Sequence, residues 1–229
     1  MKINILTLYP EMFPGCLGYS LAGKALADRK VVLNVVNIRD FATDNYKSVD
    51  DTPFGGGAGM VMKPEVLDAA IKSVYQTGPI YYLSPRGEVF SQETAKKWAD
   101  TDSEMTFLCG RFEGIDERVI QKWYIQEISI GDFVLSGGEP ALIAMLDAMI
   151  RLLPSVMGNS DSAVEESFAN NLLEYPQYTK PQNWEGISVP EVLLSGHHEN
   201  IRKWRLEQSQ ILTKTRRPDL WTKYLANQQ

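Results

Sequence analysis

Three loops that contain glycine, each directly after a predicted β-strand, constrain the fold of this chain more than any other feature. They span residues 84–87, 110–114 and 131–138. Ligands of open parallel sheets bind at the carboxyl ends of the strands, and glycine there lets the backbone approach a ligand closely. Each loop alone is also compatible with ordinary turn chemistry. Together, the three loops predict a parallel sheet whose strand ends meet at one bound small molecule.

Apolar, β-branched segments alternate with segments of helical periodicity over the first two thirds of the chain. This alternation is typical of an α/β fold, in which a mostly parallel sheet carries helices on its faces. We predict strands at 2–8, 31–38, 80–83, 105–109 and 126–130. A helix is predicted at 64–75, where apolar residues recur at helical spacing. Further helices are predicted at 91–98, which starts with Ser-x-x-Thr, at 116–123, which opens with acidic residues, and at 139–153, a largely apolar segment that ends before Pro154.

The character of the sequence changes after Pro154. Residues 158–163 are polar and turn-rich, and three prolines interrupt residues 172–190. An amphipathic, charged segment then predicts a helix at 198–212. We therefore expect a first domain at 1–157, an interdomain linker at 158–171 and a small, mainly helical C-terminal domain at 172–229.

Charge is distributed unevenly along the chain, whose formal net charge is −6. Residues 1–196 hold 16 Lys and Arg against 26 Asp and Glu, whereas residues 197–229 hold 7 against 3. A basic segment on an acidic body indicates local contact with a polyanion. A solvated basic helix without a partner is the alternative reading of the same feature.

Composition excludes several classes of protein. A hydrophobic fraction of 44% is typical of a globular chain and excludes wholesale disorder. No apolar run approaches the ~18 residues of a membrane span, and the amino terminus lacks a secretory signal, so we expect a cytoplasmic protein with no membrane partner. The two cysteines, Cys16 and Cys109, form neither a disulfide framework nor a Cys-x-x-Cys pair.

The familiar nucleotide, metal and hydrolase signatures fail when they are compared residue by residue. The glycine run at 55–59 is followed by Met60, where a dinucleotide fingerprint requires glycine. Residues 18–25 nearly match a phosphate-binding loop, but Ala25 lacks the hydroxyl that binds magnesium. His197 and His198 have no third ligand at metal-binding spacing, and no G-x-S-x-G motif occurs. We therefore predict no metal site built by the protein.

Carboxylates and an arginine near the glycine loops remain as candidate catalytic groups. Glu113 and Asp132 lie inside two of the loops, and Arg151 lies near the end of the helix predicted at 139–153. The pair Glu165-Glu166 falls in the expected linker. Most acidic residues are solvated surface, and the loop positions of Glu113 and Asp132 set these two apart.

Five motifs, in order along nearly the whole chain, resemble those of the bacterial tRNA (guanine-N1)-methyltransferases, the TrmD family. They are DDTPFGGGAGM at 50–60, YLSP at 82–85, CGRFEGIDER at 109–118, SIGDFVLSGGE at 129–139, and LSGHH at 194–198 with the pair Trp204-Arg205. The central motifs are long and specific. After Gly138, this chain has Glu139-Pro140 where the family frequently has Glu-Leu-Pro.

The resemblance implies a SPOUT-class α/β domain with a deep trefoil knot, a homodimer, and a small helical domain that binds tRNA and not DNA. It implies methyl transfer from S-adenosylmethionine to N1 of the guanine at tRNA position 37, when another guanine precedes it. Magnesium is a second cofactor that the resemblance implies. Guanine N1 carries a proton and is a poor nucleophile, so this chemistry requires a base and a cation that stabilises the charge developing on the neighbouring oxygen.

The resemblance also implies roles for individual residues. Glu166 takes the N1 proton, Arg151 contacts the guanine oxygen, and Glu113 orients the substrate or assists magnesium; at position 166 a glutamate replaces the aspartate of the family. Tyr82, Leu83, Ser84, Pro85, Gly110, Gly114, Ser129, Ile130, Gly131, Asp132, Phe133, Val134, Leu135, Gly137, Gly138 and Pro140 are the expected donor contacts. Arg202, Lys203, Arg205, Lys214, Arg216 and Arg217 are the expected phosphate contacts.

Three other functions stay open at this point. The first is a related knotted methyltransferase that modifies the ribose 2′-hydroxyl of RNA. The second is a non-catalytic RNA-binding protein that keeps a vestigial donor pocket. The third is a nucleotide hydrolase, which the missing hydroxyl at Ala25 disfavours. The identity of the methylated product separates the first from base methylation, and donor binding excludes the third.

Overall fold

The computed structural model describes residues 1–101, 103–157 and 166–228. The chain divides into two compact units, Met1–Gly158 and Asn159–Gln229. Most of the linker expected at 158–171 lies outside the described residues. None of the helices in the described ranges is long and apolar enough to span a membrane.

A five-stranded parallel sheet forms the centre of the first unit. Its strands are β1 (Lys2–Thr7), β2 (Val32–Asn37), β5 (Ile80–Val89), β6 (Met105–Leu108) and β7 (Gln126–Ser129), in the spatial order β2-β1-β6-β5-β7. Every pairing within this sheet is parallel. The short strands β3 (Asp50–Asp51) and β4 (Val61–Met62) form a separate antiparallel pair. The predicted α/β fold with a mostly parallel sheet is confirmed.

Helices cover both faces of this sheet and bury two hydrophobic clusters. On one face lie α1 (Ser20–Ala27), α3 (Gln92–Ala99) and α5 (Glu139–Ile150), packed around Phe107 of β6. On the other face lie α2 (Pro64–Val74) and α4 (Glu117–Trp123), packed around Leu108. The core on both faces explains the apolar β-branched runs, since strands buried on two sides have no polar face.

Strand β5 is longer than the sequence predicts. Leu83 and Glu88 both pair with Ile128 of β7, so residues 84–87 leave the ladder and the strand then continues to Val89. Gly87 returns the chain to β7, because a Cβ atom there would collide with the backbone of Glu127 and Ile128. The loop predicted at 84–87 is therefore a bulge inside a strand.

The second unit contains short helices, one long helix and a small hairpin. Its elements are β8 (Asn183–Trp184), β9 (Ile187–Ser188), α6 (Glu191–Leu194), α7 (His198–Arg216) and α8 (Pro218–Ala226). Leu172 and Leu220 are buried in this unit, and the Thr213 hydroxyl of α7 accepts a hydrogen bond from Leu173 N at 2.8 Å. These contacts hold α7 and α8 against the segment that precedes the hairpin.

Candidate functional site

One cavity of about 360 Å³ in the first unit gathers all three glycine loops. The loops belong to β5, β6 and β7, which are neighbours in the order β6-β5-β7. Strand β6 lies on one side of β5, and the next strand, β7, lies on the other side of β5. Ligands of parallel sheets bind at such a change of direction in the strand order. The Gly138 amide donates to the Gly110 carbonyl at 3.2 Å, which joins two of the loops directly.

Most of the expected donor contacts line this cavity. They are Tyr82, Leu83, Ser84, Pro85, Gly110, Gly114, Ser129, Ile130, Gly131, Phe133, Val134, Leu135, Gly137 and Gly138. Asp132 and Pro140 do not line it, and both are exposed. Pro140 lies in the first turn of α5 between buried Glu139 and cavity-lining Ala141.

Tyr82 lines the cavity, and its ring explains two of the glycines. A Cβ atom at Gly110 would lie 2.9 Å from the Tyr82 hydroxyl oxygen, and one at Gly114 would lie 3.0 Å from it. Burial, with a smaller contribution from the charge of Glu127, raises the pKa of Tyr82 above its usual value. The Tyr82 ring is therefore neutral at physiological pH, and these glycines admit the ring as well as a ligand.

Gly138 lines the cavity and packs against buried Cys109, which does not line it. A Cβ atom at Gly138 would lie 2.9 Å from Leu83 Cβ and 3.0 Å from Cys109 Cα, so only glycine fits here. Burial raises the pKa of the Cys109 thiol well above its usual value, and the negative charge of Glu139 adds to this effect. Cys109 is a core residue without nucleophilic character.

Several residues that the sequence reasoning missed also line the cavity. They are Arg86, Arg111, Phe112, Ile115, Ile128, Ser136 and Ala141. Arg86 Nη2 lies 2.9 Å from Glu127 Oε1 and 3.3 Å from Glu117 Oε2, so this pair of carboxylates holds the bulge at its open side. For Arg86 and Arg111, the sequence signal that could have indicated a place in the cavity is their position within a glycine loop. Periodicity does not predict the direction of a side chain in a loop.

Glu113 lies at the edge of the cavity beside the exposed glycine run at 55–59. The Glu113 amide donates to the Met60 carbonyl at 2.9 Å. A Cβ atom at Gly59, whose φ is +86°, would lie 2.8 Å from Glu113 Cδ, so glycine at this position allows the two loops to approach. The carboxylate of Glu113 is thus placed where a ligand in the cavity can reach it.

Arg151 and Glu166 belong to different units, and each is described within its own. Arg151 is half-buried at the carboxyl end of α5, where its amide donates to the Asp147 carbonyl at 3.3 Å, and it is not among the residues lining the cavity. Glu166 is half-buried next to Ser167, whose hydroxyl accepts a hydrogen bond from the Glu174 amide at 3.1 Å. Glu165 lies outside the described residues.

The expected phosphate contacts differ in their exposure. Lys214 and Arg216 are exposed near the end of α7, and Arg202 and Lys203 are exposed near its start, where both pair with Glu199. Arg217 pairs with Asp219 at 2.6 Å. Arg205 is half-buried, with its guanidinium carbon 4.7 Å from the centre of the Tyr175 ring. The exposed cations are the ones that a large polyanion can reach.

Metal ligands do not cluster in the described part of the chain. No group of three or more His, Cys, Asp or Glu side chains in the described ranges is close enough to hold a metal ion. The two histidines lie at the start of α7 and are both exposed.

Comparison with known proteins covers nearly the whole chain. Residues 1–223 match the family model described as tRNA (Guanine-1)-methyltransferase TrmD. The chain is 55% identical over 227 residues to the tRNA (guanine-N(1)-)-methyltransferase of Rhodospirillum rubrum, which covers 99% of this chain and 95% of that protein. It is 56% identical over 224 residues to the protein of the same name from Brucella ovis, covering 98% and 92%. The resemblance seen in the motifs is confirmed, and the chain belongs to the tRNA (guanine-1)-methyltransferase family.

Proposed function

We propose that this protein transfers the methyl group of S-adenosylmethionine to N1 of the guanine at position 37 of tRNA. The observation that carries the proposal is the cavity at the ends of β5, β6 and β7, in which the loops of three family motifs meet. The names of the relatives, at 55% and 56% identity, support the same activity. The position of the guanine comes from the motif resemblance.

The cavity suits a donor that combines a flat nucleoside with a small charged tail. Leu83, Ile130 and Leu135 supply apolar surface, whereas Ser84 and Ser129 are polar. Glycines supply much of the remaining wall, so backbone amides and carbonyls are available to hydrogen-bond an adenine edge. The donor supplies a methyl group on a sulfonium ion, and sulfur keeps the electron pair of the broken carbon–sulfur bond.

The acceptor nitrogen must lose its proton as it forms the new bond to carbon. In the proposed mechanism Glu166 accepts the N1 proton, since a carboxylate is a suitable base and this residue occupies the position of the family aspartate. Arg151 stabilises the negative charge that develops on the guanine oxygen, because a guanidinium donates hydrogen bonds and carries a fixed positive charge. Glu113 orients the substrate at the cavity edge.

The second unit binds tRNA in this proposal. The exposed cations Lys203, Lys214 and Arg216 on α7 are suited to phosphates, which position an RNA without reading its sequence. The target guanine must leave the base stack to enter the cavity, as bases do in other enzymes that modify them. Phosphate contacts on the stem would hold the tRNA while this occurs.

Four further expectations remain part of the proposal. They are a homodimer, a trefoil knot in the first unit, a cytoplasmic location and the use of magnesium. Glu113 is the candidate ligand for magnesium, which proteins commonly bind through one or two carboxylates together with substrate oxygens. The proton transfer and charge stabilisation described above involve only Glu166 and Arg151.

The test is methyl transfer from labelled S-adenosylmethionine to an unmodified tRNA with guanines at positions 36 and 37. The matched substrate carries adenine at position 37, and the product nucleosides are identified after digestion. Formation of 1-methylguanosine only in the first tRNA supports the proposal. Methylation of a ribose hydroxyl would assign the alternative RNA methyltransferase activity, and donor binding without transfer to either tRNA would contradict the proposed substrate.

A further inference from the structure

Glu139 is a buried carboxylate that the proposed mechanism does not use. It is the first residue of α5, its relative exposure is 0%, and it is not among the residues that line the cavity. Placing a carboxylate fully inside a protein is costly unless other groups compensate its charge. The amino end of a helix favours a negative charge, but this effect alone is small. The partners of Glu139 therefore require an explanation.

Two side chains from distant parts of the chain compensate the charge. The Thr7 hydroxyl, at the end of β1, donates to Glu139 Oε1 at 2.7 Å. Arg111, in the loop after β6, places Nη2 2.8 Å from Glu139 Oε2 and donates from Nε to Oε1 at 3.3 Å. Arg111 is itself mostly buried, with 16% of its side chain exposed. The three residues form one cluster, here called the Thr7–Arg111–Glu139 cluster.

Arg111 connects this cluster to the third loop of the cavity. Its Nη1 donates to the Ser136 carbonyl at 3.1 Å, and its guanidinium carbon lies 4.4 Å from the centre of the Tyr9 ring. Gly137 makes this position possible, because a Cβ atom there would lie 2.5 Å from Arg111 Cζ. The guanidinium, which belongs to the loop at 110–114, thus contacts both the segment after β1 and the loop at 131–138.

We propose that Glu139 is a positioning residue for methyl transfer, and that it acts by holding Arg111 so that the loops at 110–114 and 131–138 keep the shape of the donor cavity. The inference rests on the proposed function, since it assigns a role in binding S-adenosylmethionine. It also gives Gly137 a purpose distinct from ligand contact, which is to leave room for the guanidinium.

If the Thr7–Arg111–Glu139 cluster only stabilised the fold, its replacement would change stability and not donor binding. Buried ion pairs are poor stabilisers, and well-packed apolar residues of similar volume commonly replace them without loss of stability. Directional hydrogen bonds from the Arg111 guanidinium to the Ser136 carbonyl and to the Glu139 carboxylate are what an apolar pair cannot reproduce. If the cluster positions the loops, an apolar replacement will keep the fold and lose the donor.

The experiment compares three variants with the wild type: Glu139→Gln, the double variant Arg111→Met/Glu139→Leu, and Leu146→Ala. Leu146 is fully buried in the same helix and does not line the cavity, so it reports what a loss of core packing does to donor binding. Calorimetry measures the affinity for S-adenosylhomocysteine, and thermal melting measures stability. Hydrogen exchange in the ligand-free protein measures the opening of the two loops.

We expect the double variant to melt close to the wild-type temperature while its affinity for S-adenosylhomocysteine falls by about tenfold or more, since small displacements of a binding loop have large effects. Exchange at 110–114 and 131–138 will be faster in both cluster variants. Leu146→Ala will melt lower, by about 10 °C, and keep its affinity within about twofold.

Two results would overturn the inference in different ways. Wild-type affinity and wild-type loop exchange in Glu139→Gln and in the double variant would show that the cluster does not position the cavity. If Leu146→Ala weakens the binding of S-adenosylhomocysteine as much as the cluster variants do, the weakened binding would be a consequence of lower stability and not of loop positioning. If the wild-type protein itself binds neither S-adenosylmethionine nor S-adenosylhomocysteine, the proposed function fails first, and this inference fails with it.

Discussion

At the scale of single residues, the assignment of Glu166 as the base can be tested directly. Glu166→Gln keeps the size of the side chain and removes its ability to accept a proton. We expect the single-turnover rate of methyl transfer to fall by about 10²–10⁴-fold, the usual contribution of a general base. The affinity for S-adenosylhomocysteine will stay unchanged, because Glu166 is not among the residues that line the donor cavity.

Two further variants, at positions 166 and 165, test whether the base is Glu166 and not the adjacent carboxylate. Glu166→Asp restores the aspartate of the family and should keep a rate within about tenfold of the wild type, since the functional group is the same. Glu165→Gln changes the adjacent carboxylate and should have little effect. A large rate loss in Glu165→Gln with a normal rate in Glu166→Gln would move the base by one position.

Arg86 offers a second prediction at this scale. Its ion pairs with Glu117 and Glu127 hold the bulge of β5, but 60% of the side chain is exposed, so they contribute less than about 1 kcal/mol to stability. Arg86→Ala should leave the melting temperature nearly unchanged and weaken donor binding by about three- to tenfold, because the bulge at 84–87 becomes looser. Arg118→Ala, which removes an exposed arginine paired with Asp116 outside the cavity, is the control. Equal affinities in the two variants would contradict a role for Arg86.

At the scale of secondary-structure elements, the sequence pattern predicted the five strands of the main sheet and four of the helices that cover it, namely α2, α3, α4 and α5. It did so because strands buried on both faces are uniformly apolar and amphipathic helices repeat every 3.6 residues. Helix α1 is absent from the sequence prediction, because residues 18–25 are compared there only with a phosphate-binding loop. The extension of β5 was missed because a strand that resumes after a four-residue bulge leaves no continuous alternation.

The candidate site also has features that the sequence predicts and features that it does not. Loops at strand ends could be located from glycine and strand order, and most of the expected donor contacts do line one cavity. Side-chain directions within these loops could not be predicted. Asp132 is exposed and does not line the cavity. Arg111 contacts buried Glu139, and this contact joins residues 28 positions apart. Such pairings depend on tertiary packing and leave no local pattern in the sequence.

Asp68 provides a prediction for the contact between α2 and α4. Asp68 accepts a hydrogen bond from Trp123 Nε1 at 2.8 Å and pairs with Lys122 and Lys72 at 2.6 and 2.7 Å. Burial raises the pKa of Asp68, but the hydrogen bonds from Lys122, Lys72 and Trp123 outweigh burial and lower the pKa to about 2. The ionised carboxylate is therefore stabilised in the folded state relative to the unfolded chain.

The consequence is a pH-dependent contribution to the free energy of unfolding. Because the pKa is lower in the folded protein, the contribution is complete above the unfolded value of about 4 and is lost as pH falls toward 2. Asp68→Asn should lower the free energy of unfolding at pH 7 by about 2 kcal/mol, and the difference from wild type should shrink below pH 4. Denaturant titrations at pH 7, 4 and 3 measure this, with Glu65→Gln on the same helix as control. A difference that is independent of pH would contradict the electrostatic explanation.

At the scale of the whole molecule, the separation of charge matters most. The acidic body carries 10 more negative than positive residues, whereas the last 33 residues carry 4 more positive ones. The exposed cations Lys214 and Arg216 lie in the last turns of α7, beyond the point where the sequence predicted that helix to end. An acidic body repels RNA, so binding must depend on a few local cations, and its affinity should be sensitive to salt.

This dependence gives the final prediction, which compares two double variants with the same change of charge. Lys214→Ala/Arg216→Ala removes two exposed cations of α7, and Lys96→Ala/Lys97→Ala removes two exposed cations of α3 in the first unit. In the α7 variant, the affinity for tRNA should fall by about ten- to a hundredfold at low salt, and the slope of log affinity against log salt should decrease by about 1 to 2, because fewer counterions are released from phosphates. Filter binding from about 50 to 200 mM salt measures both quantities. Over this range, the affinity of a protein that binds through phosphate contacts falls by about tenfold or more. The α3 variant should keep the wild-type slope. If both variants lose the same slope, RNA responds to net charge alone, and α7 has no particular part in holding it.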